Sequence, residues 1–300
     1  MSRKVLLPSS YGLSGVIVPL TTPFDQAGEI DYDAFLQQIE WVLGTGVHGI
    51  VVGGSTGEGY TLTEDELFEL TRKALDTVNG RVPVMASIIS DSTRGACKRA
   101  EMLASLPITA LQVAPPHYIF SPSAEGLCDF YADVGKTGDR PVIIYNVISW
   151  ANVSPTVAAA IMDRSHYVIG VKQSDRDLGS FIDLTRTIGP ERVFGAIDGS
   201  LMSCYDLGIA GSIAAIATAV PAPSVALWNN CIARESVARD INGWLADFWM
   251  TLSTSNLPAQ VKAAQSLQGL KSGFPRSPMQ MATGNEVSRI ETALQRKLPT

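Results

Sequence analysis

Eight short apolar runs recur along the 300-residue chain: GVIVPL (15–20), GIVVGG (49–54), PVMASI (83–88), ALQVA (110–114), PVIIYNV (141–147), VIGVKQ (168–173), VFGA (193–196) and GSIAAIA (211–217). They are nearly continuous rather than alternating, the pattern of β-strands buried on both faces. Stretches of helical period separate them. TLTEDELFELTRKALDTV opens on Thr63 with Glu66 three residues later, a capping-box pattern, and its apolar positions Leu67, Leu70, Ala74 and Val78 follow at helical spacing. Asp31 predicts the start of a helix over DYDAFLQQIEWVL, and Ser154 before Pro155 predicts another. Strand and helix alternate with a repeat of roughly 25–35 residues, the size of a βα unit. Eight such units predict an α/β fold, a (β/α)8 TIM barrel, which takes about 250 residues. An open doubly wound sheet would want a glycine-rich phosphate fingerprint after its first strand, where this chain reads PLTTPFD. The catalytic barrel is expected over 1–235, with 236–300 as a C-terminal helical extension packed on it.

Composition narrows the partners. With 46% hydrophobic and 17% charged residues the chain reads as an ordinary globular protein. A formal charge of -6 and no basic cluster longer than two residues argue against nucleic acid and anionic membrane. Residues 207–233 carry no charge, but glycines, prolines and Asn229–Asn230 cut the stretch into pieces suited to a buried strand and helix. The start MSRKVLLPSS is too short for a signal segment, so a cytoplasmic location is expected. Cys97, Cys128, Cys204 and Cys231 form no CxxC pair, and His48, His117 and His166 are scattered, so neither a disulfide framework nor a metal site is expected.

In barrels the active site lies at the C-terminal ends of the strands. That rule selects Thr21–Thr22, Ser55–Thr56, His117–Tyr118, Tyr145, Lys172, Asp198 and Ile213. Lys172 sits inside an apolar run, where lysine is rarely buried unless paired or neutral. It either snorkels to water or pairs with Asp175 or Asp177, or it is a desolvated amine able to attack a ketone and form a Schiff base. GGSTGEGYTL (53–62) is a glycine-rich turn whose N–H groups and hydroxyls could cradle a carboxylate or phosphate, or simply turn the chain. Glu58 within it reads as a carboxylate bonding the loop backbone. Tyr145 could relay protons or satisfy a backbone carbonyl. His117 reads as a packing or surface residue, and Trp228, Trp244 and Trp249 as core and interface residues.

Taken together, GGSTGEGYTLTEDE, APPHYIFSPSAEGL (114–127), PVIIYNV and GVKQSD (170–175) resemble the N-acetylneuraminate lyase and dihydrodipicolinate synthase family, pyruvate-type class I aldolases on a (β/α)8 barrel. The likeness runs from about Gly15 to the eighth strand with the motifs in order. It implies that Lys172 is the Schiff-base lysine and Tyr145 the proton-shuttling tyrosine. It places Ser55 and Thr56 at the family's carboxylate-binding GSTGE positions. Tyr118 matches the second tyrosine of a PPYY-like stretch, lent to a neighbouring subunit in many members. Gly195 and Ile213 are expected to line the pocket, and Asp198 to contact a polyol tail. The family's fifth-strand motif YNVPxRT departs here: Ile148 stands for the proline and Trp150 for the carboxylate-binding arginine, which points to a different second substrate.

The resemblance thus implies a Schiff-base lyase acting on pyruvate or a related 2-oxo acid, with no metal or organic cofactor, as a homotetramer built from two dimers. Alternatives are a 4-hydroxy-tetrahydrodipicolinate synthase, an imine-using dehydratase or deaminase, and a 2-oxo acid sensor without turnover. Pyridoxal phosphate on Lys172 is a further, remote option.

Overall fold

The computed structural model describes residues 6–252 and 255–299. Eight parallel strands close into a barrel in chain order: β1 (Gly15–Pro19), β2 (Gly49–Val52), β3 (Val84–Ile88), β4 (Ala110–Val113), β5 (Val142–Asn146), β6 (Val168–Gln173), β7 (Val193–Gly195) and β8 (Gly211–Ser212). Six helices follow the first six strands: α1 (Tyr32–Leu43), α2 (Glu64–Val78), α3 (Thr93–Ala104), α4 (Ala124–Gly138), α5 (Pro155–Arg164) and α6 (Leu178–Ile188). After β7 and β8 come α7 (Leu201–Tyr205), α8 (Ile216–Ala219) and α9 (Pro221–Ala233). The chain then adds α10 (Ala238–Trp249), α11 (Leu257–Leu267) and α12 (Gly284–Leu294).

The anticipated helix starts are present. Asp31 accepts from Ala34 N, Thr63 and Glu66 form a reciprocal capping box, and Ser154 caps α5 ahead of Pro155. The uncharged stretch becomes β8, α8 and α9, and among the described residues no helix is long and apolar enough to cross a membrane. The eighth strand is shorter than its apolar run: only Gly211 and Ser212 pair in the sheet, and the chain turns helical at Ile216.

The strands are apolar on both faces because both are dry. Ile17, Val51, Met85, Ala110, Ile143 and Phe194 fill the barrel interior, with Leu13 packed against them. Their chain neighbours Val16, Val18, Ile50, Val52, Val84 and Ala86 face the helices in the larger outer cluster. Side chains therefore alternate in and out with period two, and parity decides which residues reach the site.

One strand breaks parity. Val142 pairs with Val168 but Ile143 pairs with Gly170, so β6 carries an extra residue, Ile169, opposite β5. Ile169 points inward, and Gly170 also faces inward toward the Ile143 side chain and Pro8. Val171 then packs in the outer layer, and Lys172 returns to the inside, opposite Tyr145. Without this bulge a strict alternation from Ile169 would turn Lys172 toward the helices.

Candidate active site

At the C-terminal end of the barrel, a cavity of about 630 Å³ is lined by Lys172, Tyr145, Ser55, Thr56, Asp198 and Ile213 among others. Lys172 is 4% exposed, and its Nζ lies 3.9 Å from the centre of the Tyr145 ring. Among the described residues Lys172 makes no ion pair with Asp175 or Asp177. Asp175 accepts from Asn152 Nδ2 and from Asp177 N, while Asp177 caps α6 through Gly179 N and Ser180 N. Among the described residues no protein group hydrogen-bonds to Lys172 Nζ or to the Tyr145 hydroxyl, which leaves both available to a bound molecule.

Ser55 and Thr56 sit at the crest of a turn after β2. Gly57 N and Gly59 N donate to Gly54 O, Glu58 N donates to Ser55 O, and Thr22 Oγ1 donates to Gly57 O. The turn is too tight for side chains at two positions: a Cβ on Gly59 would lie 1.7 Å from Gly53 O, and one on Gly57 2.6 Å from Leu20 O. Internal bonds thus use the N–H groups of residues 57–59, whereas those of Ser55 and Thr56 have no partner among the described residues. Ser55 and Thr56 therefore bring two unengaged amides and two hydroxyls to the cavity lining, a donor set suited to a carboxylate. Thr21, by contrast, is drawn into a buried cluster with Gln38 and Gln265.

Glu58 does more than bond its own loop. It adopts a left-handed backbone at φ 54°, is fully buried, and reaches across to the C-terminal region. Its Oε1 lies 2.6 Å from Lys262 Nζ and its Oε2 accepts from Arg276 N at 2.8 Å. Lys262 also donates to Phe274 O, and the Phe24 ring lies beneath both Lys262 Nζ and the Arg276 guanidinium. Burial pushes the Lys262 ammonium down to about 8, against the pull of Glu58.

Asp198 accepts from Ile216 N at 2.8 Å and opens to the cavity on one edge. Its carboxyl is otherwise enclosed, and burial raises it to about 6. Three sequence-selected residues stand elsewhere. Gly195 has outward parity: a Cβ there would meet Ile209 and Cys204 of the outer layer, so its neighbour Ala196 lines the cavity instead. Tyr118 is 73% exposed, on a loop whose Tyr118 N and His117 N both donate to Asp91 Oδ1. Trp150 is 63% exposed and donates from its indole nitrogen to His117 O, away from the cavity.

The cavity also gathers residues that strand-end reasoning did not reach. Arg176 follows Lys172 in the β6–α6 loop, and extending the strand-end rule by a few residues would have found it. Trp249, Leu257, Pro258 and Met279 close the far side from the C-terminal region, with no sequence signal to announce them. Trp249, which packs against the outer core, is therefore a wall of the cavity as well. Among the described residues no cluster of three or more His, Cys, Asp or Glu could hold a metal ion.

The mouth of the (β/α)8 barrel thus holds a buried lysine facing a phenol, beside the Ser55–Thr56 turn. The chain matches the Dihydrodipicolinate synthetase family over residues 12–297. It belongs to that family. A curated relative from Exiguobacterium sibiricum, 4-hydroxy-tetrahydrodipicolinate synthase, is 32% identical over 269 residues, covering 88% of this chain and 91% of the relative. The solved dihydrodipicolinate synthase of Thermotoga maritima superimposes with a TM-score of 0.89 at 26% identity, covering 95% of this chain and 98% of that one. A monomeric dihydrodipicolinate synthase variant gives 0.90 at 26% identity, covering 96% and 97%. As a member of the dihydrodipicolinate synthetase family the protein is an enzyme of the class I aldolase type, a lyase on a TIM barrel.

Proposed function

We propose that this enzyme forms a Schiff base between Lys172 and pyruvate or a related 2-oxo acid and uses it to make or break a carbon–carbon bond. The observation that carries the reading is Lys172 itself: 4% exposed, without an ion pair among the described residues, and 3.9 Å over the Tyr145 ring in the cavity that Ser55 and Thr56 also line. The amine attacks the ketone and water leaves as the imine forms. Loss of a proton from the adjacent carbon gives an enamine, which attacks an aldehyde carbon as the aldehyde oxygen takes up a proton. Water then releases the product from Lys172, and the reverse sequence is a retro-aldol cleavage. Ser55 and Thr56 hold the 2-oxo acid carboxylate, Ile213 and Ala196 pack against the reacting carbons, and Tyr145 carries protons at the imine.

The imine serves as the electron sink, so this reading requires no metal and no organic cofactor. The barrel, residues 1–235, is taken as the catalytic unit and 236–300 as its helical extension. Tyr118, exposed beside Trp150, is read as the phenol that a second copy receives in a homotetramer of two dimers, in the cytoplasm.

Borohydride reduction with pyruvate tests the reading. A stable adduct of pyruvate's mass on Lys172, absent in Lys172→Ala, is expected; no adduct on the wild-type protein overturns it.

A second reading, the 4-hydroxy-tetrahydrodipicolinate synthase reaction itself, draws on the names of the curated relatives. Trp150 weighs against it, because an indole cannot provide the bidentate clamp of a guanidinium. Efficient condensation of pyruvate with aspartate semialdehyde would restore it.

A further inference from the structure

We infer that Arg176 is the binding residue for a second anionic group on the substrate, so that the enzyme's 2-oxo acids carry a carboxylate at the end remote from the ketone. The inference rests on the Schiff-base reading, because it assumes that Lys172 is covalently engaged.

Among the described residues, Lys172 and Arg176 are the cationic members of the cavity lining. Once Lys172 holds the ketone carbon and the Ser55–Thr56 turn holds the first carboxylate, Arg176 is the remaining cation for anything bound farther out. Its guanidinium has no hydrogen bond or ion pair with any described protein group. The carboxylates nearest in the chain are engaged elsewhere. Asp175 is held by Asn152 Nδ2 at 2.9 Å, and Asp177 is the N-cap of α6 with Gly179 N at 2.7 Å. Asp198, on the neighbouring loop after β7, accepts from Ile216 N and attracts both Lys172 and Arg176 without a hydrogen bond or ion pair to the guanidinium. An arginine with five donors and no protein acceptor, at the rim of a cavity, is suited to clamp a carboxylate bidentately.

The geometry also fixes which part of the substrate it meets. Arg176 lies four residues beyond Lys172, on the loop leaving the same strand end, and Ser149 and Asn152 of the adjoining loop line the cavity with it. A tail leaving the carbon next to the imine runs outward along this wall, whereas the Ser55–Thr56 turn lies across the barrel on the loop after β2. The two anion sites are separate, and a dicarboxylic 2-oxo acid spans them.

The test uses two 2-oxo acids of equal chain length, 2-oxoglutarate and 2-oxopentanoate, with borohydride trapping on Lys172 and half-saturation as the readout. Wild-type protein should be half-saturated by 2-oxoglutarate at a concentration about tenfold or more below that for 2-oxopentanoate. Arg176→Met should abolish the ratio, and Arg176→Lys should recover part of it. A wild-type ratio of one or less overturns the inference, as does a ratio unchanged in Arg176→Met or an equal weakening of both acids. Pyruvate on wild-type protein is the separate arm: failure to trap it sinks the Schiff-base reading, whereas pyruvate trapping without a tail preference sinks only Arg176.

Discussion

Lys262 and Glu58, 204 residues apart in the chain, meet at 2.6 Å with their side chains 2% and 0% exposed. The pair fastens α11 to the turn that presents Ser55 and Thr56. Removing one partner strands a buried charge, which costs about 3–5 kcal/mol. Lys262→Met and Glu58→Gln should each lower urea stability by that order, and the double variant should lose clearly less than the two losses added. Additive losses would mean that the contact carries no coupling.

The bulge in β6 makes a sharper demand at Gly170. A Cβ there would lie 2.6 Å from the backbone oxygen of Arg192. Gly170→Ala should destabilise the protein by about 1–3 kcal/mol and also lower the yield of trapped pyruvate, since the strand must shift to make room. Full trapping in a destabilised variant would show that Lys172 keeps its aim without the tight approach.

Tyr145 has a ring that packs against Lys172 and a hydroxyl without a partner among the described residues, and the two can be separated. Tyr145→Phe keeps the ring, so unfolding stability should stay within about 1 kcal/mol of the parent. Single-turnover imine formation should slow by about 10²–10⁴-fold. An unaltered rate would assign proton transfer to another group.

Asp198 gives the pH dependence. Burial raises its carboxyl from 3.8 to about 6, outweighing the Ile216 N–H and the attraction of Lys172. Between those values the folded chain keeps a proton that the unfolded chain has shed. The stability it contributes is present below the lower value and lost as pH rises through the upper one, on the order of 3 kcal/mol in all. Asp198→Asn removes that loss and keeps an acceptor for Ile216 N. It should therefore melt above the parent at about pH 8, with the gap closing below about pH 4. Melting below the parent at the higher pH would show that the carboxylate's contacts outweigh its burial.

The barrel was legible because buried parallel strands and amphipathic helices alternate eight times and the first strand lacks the phosphate fingerprint of the doubly wound rival, and strand ends then pointed to Lys172, Tyr145, Ser55, Thr56, Asp198 and Ile213. What escaped depended on one-residue geometry or on long-range contacts. Gly195 and Ala196 differ only in parity, which an apolar run without alternation hides. The β6 bulge is equally silent, since VIGVKQ reads alike with or without an extra residue. Glu58 looked local because its partners, Lys262 and Arg276, arrive from beyond the barrel. Tyr118 and Trp150 came from matched motifs, and in a single chain both face outward.

The wall formed by Trp249, Leu257, Pro258 and Met279 separates two kinds of variation. The proposed chemistry is anchored at the ends of the barrel strands, while the far boundary of the cavity belongs to a segment outside the sheet. Substitutions in that segment can reshape the cavity and leave Lys172 undisturbed, provided Lys262 keeps its hold on Glu58. What such a protein accepts can therefore be varied separately from what it does, and a library confined to Trp249, Leu257, Pro258 and Met279 is the economical place to look for new acceptors.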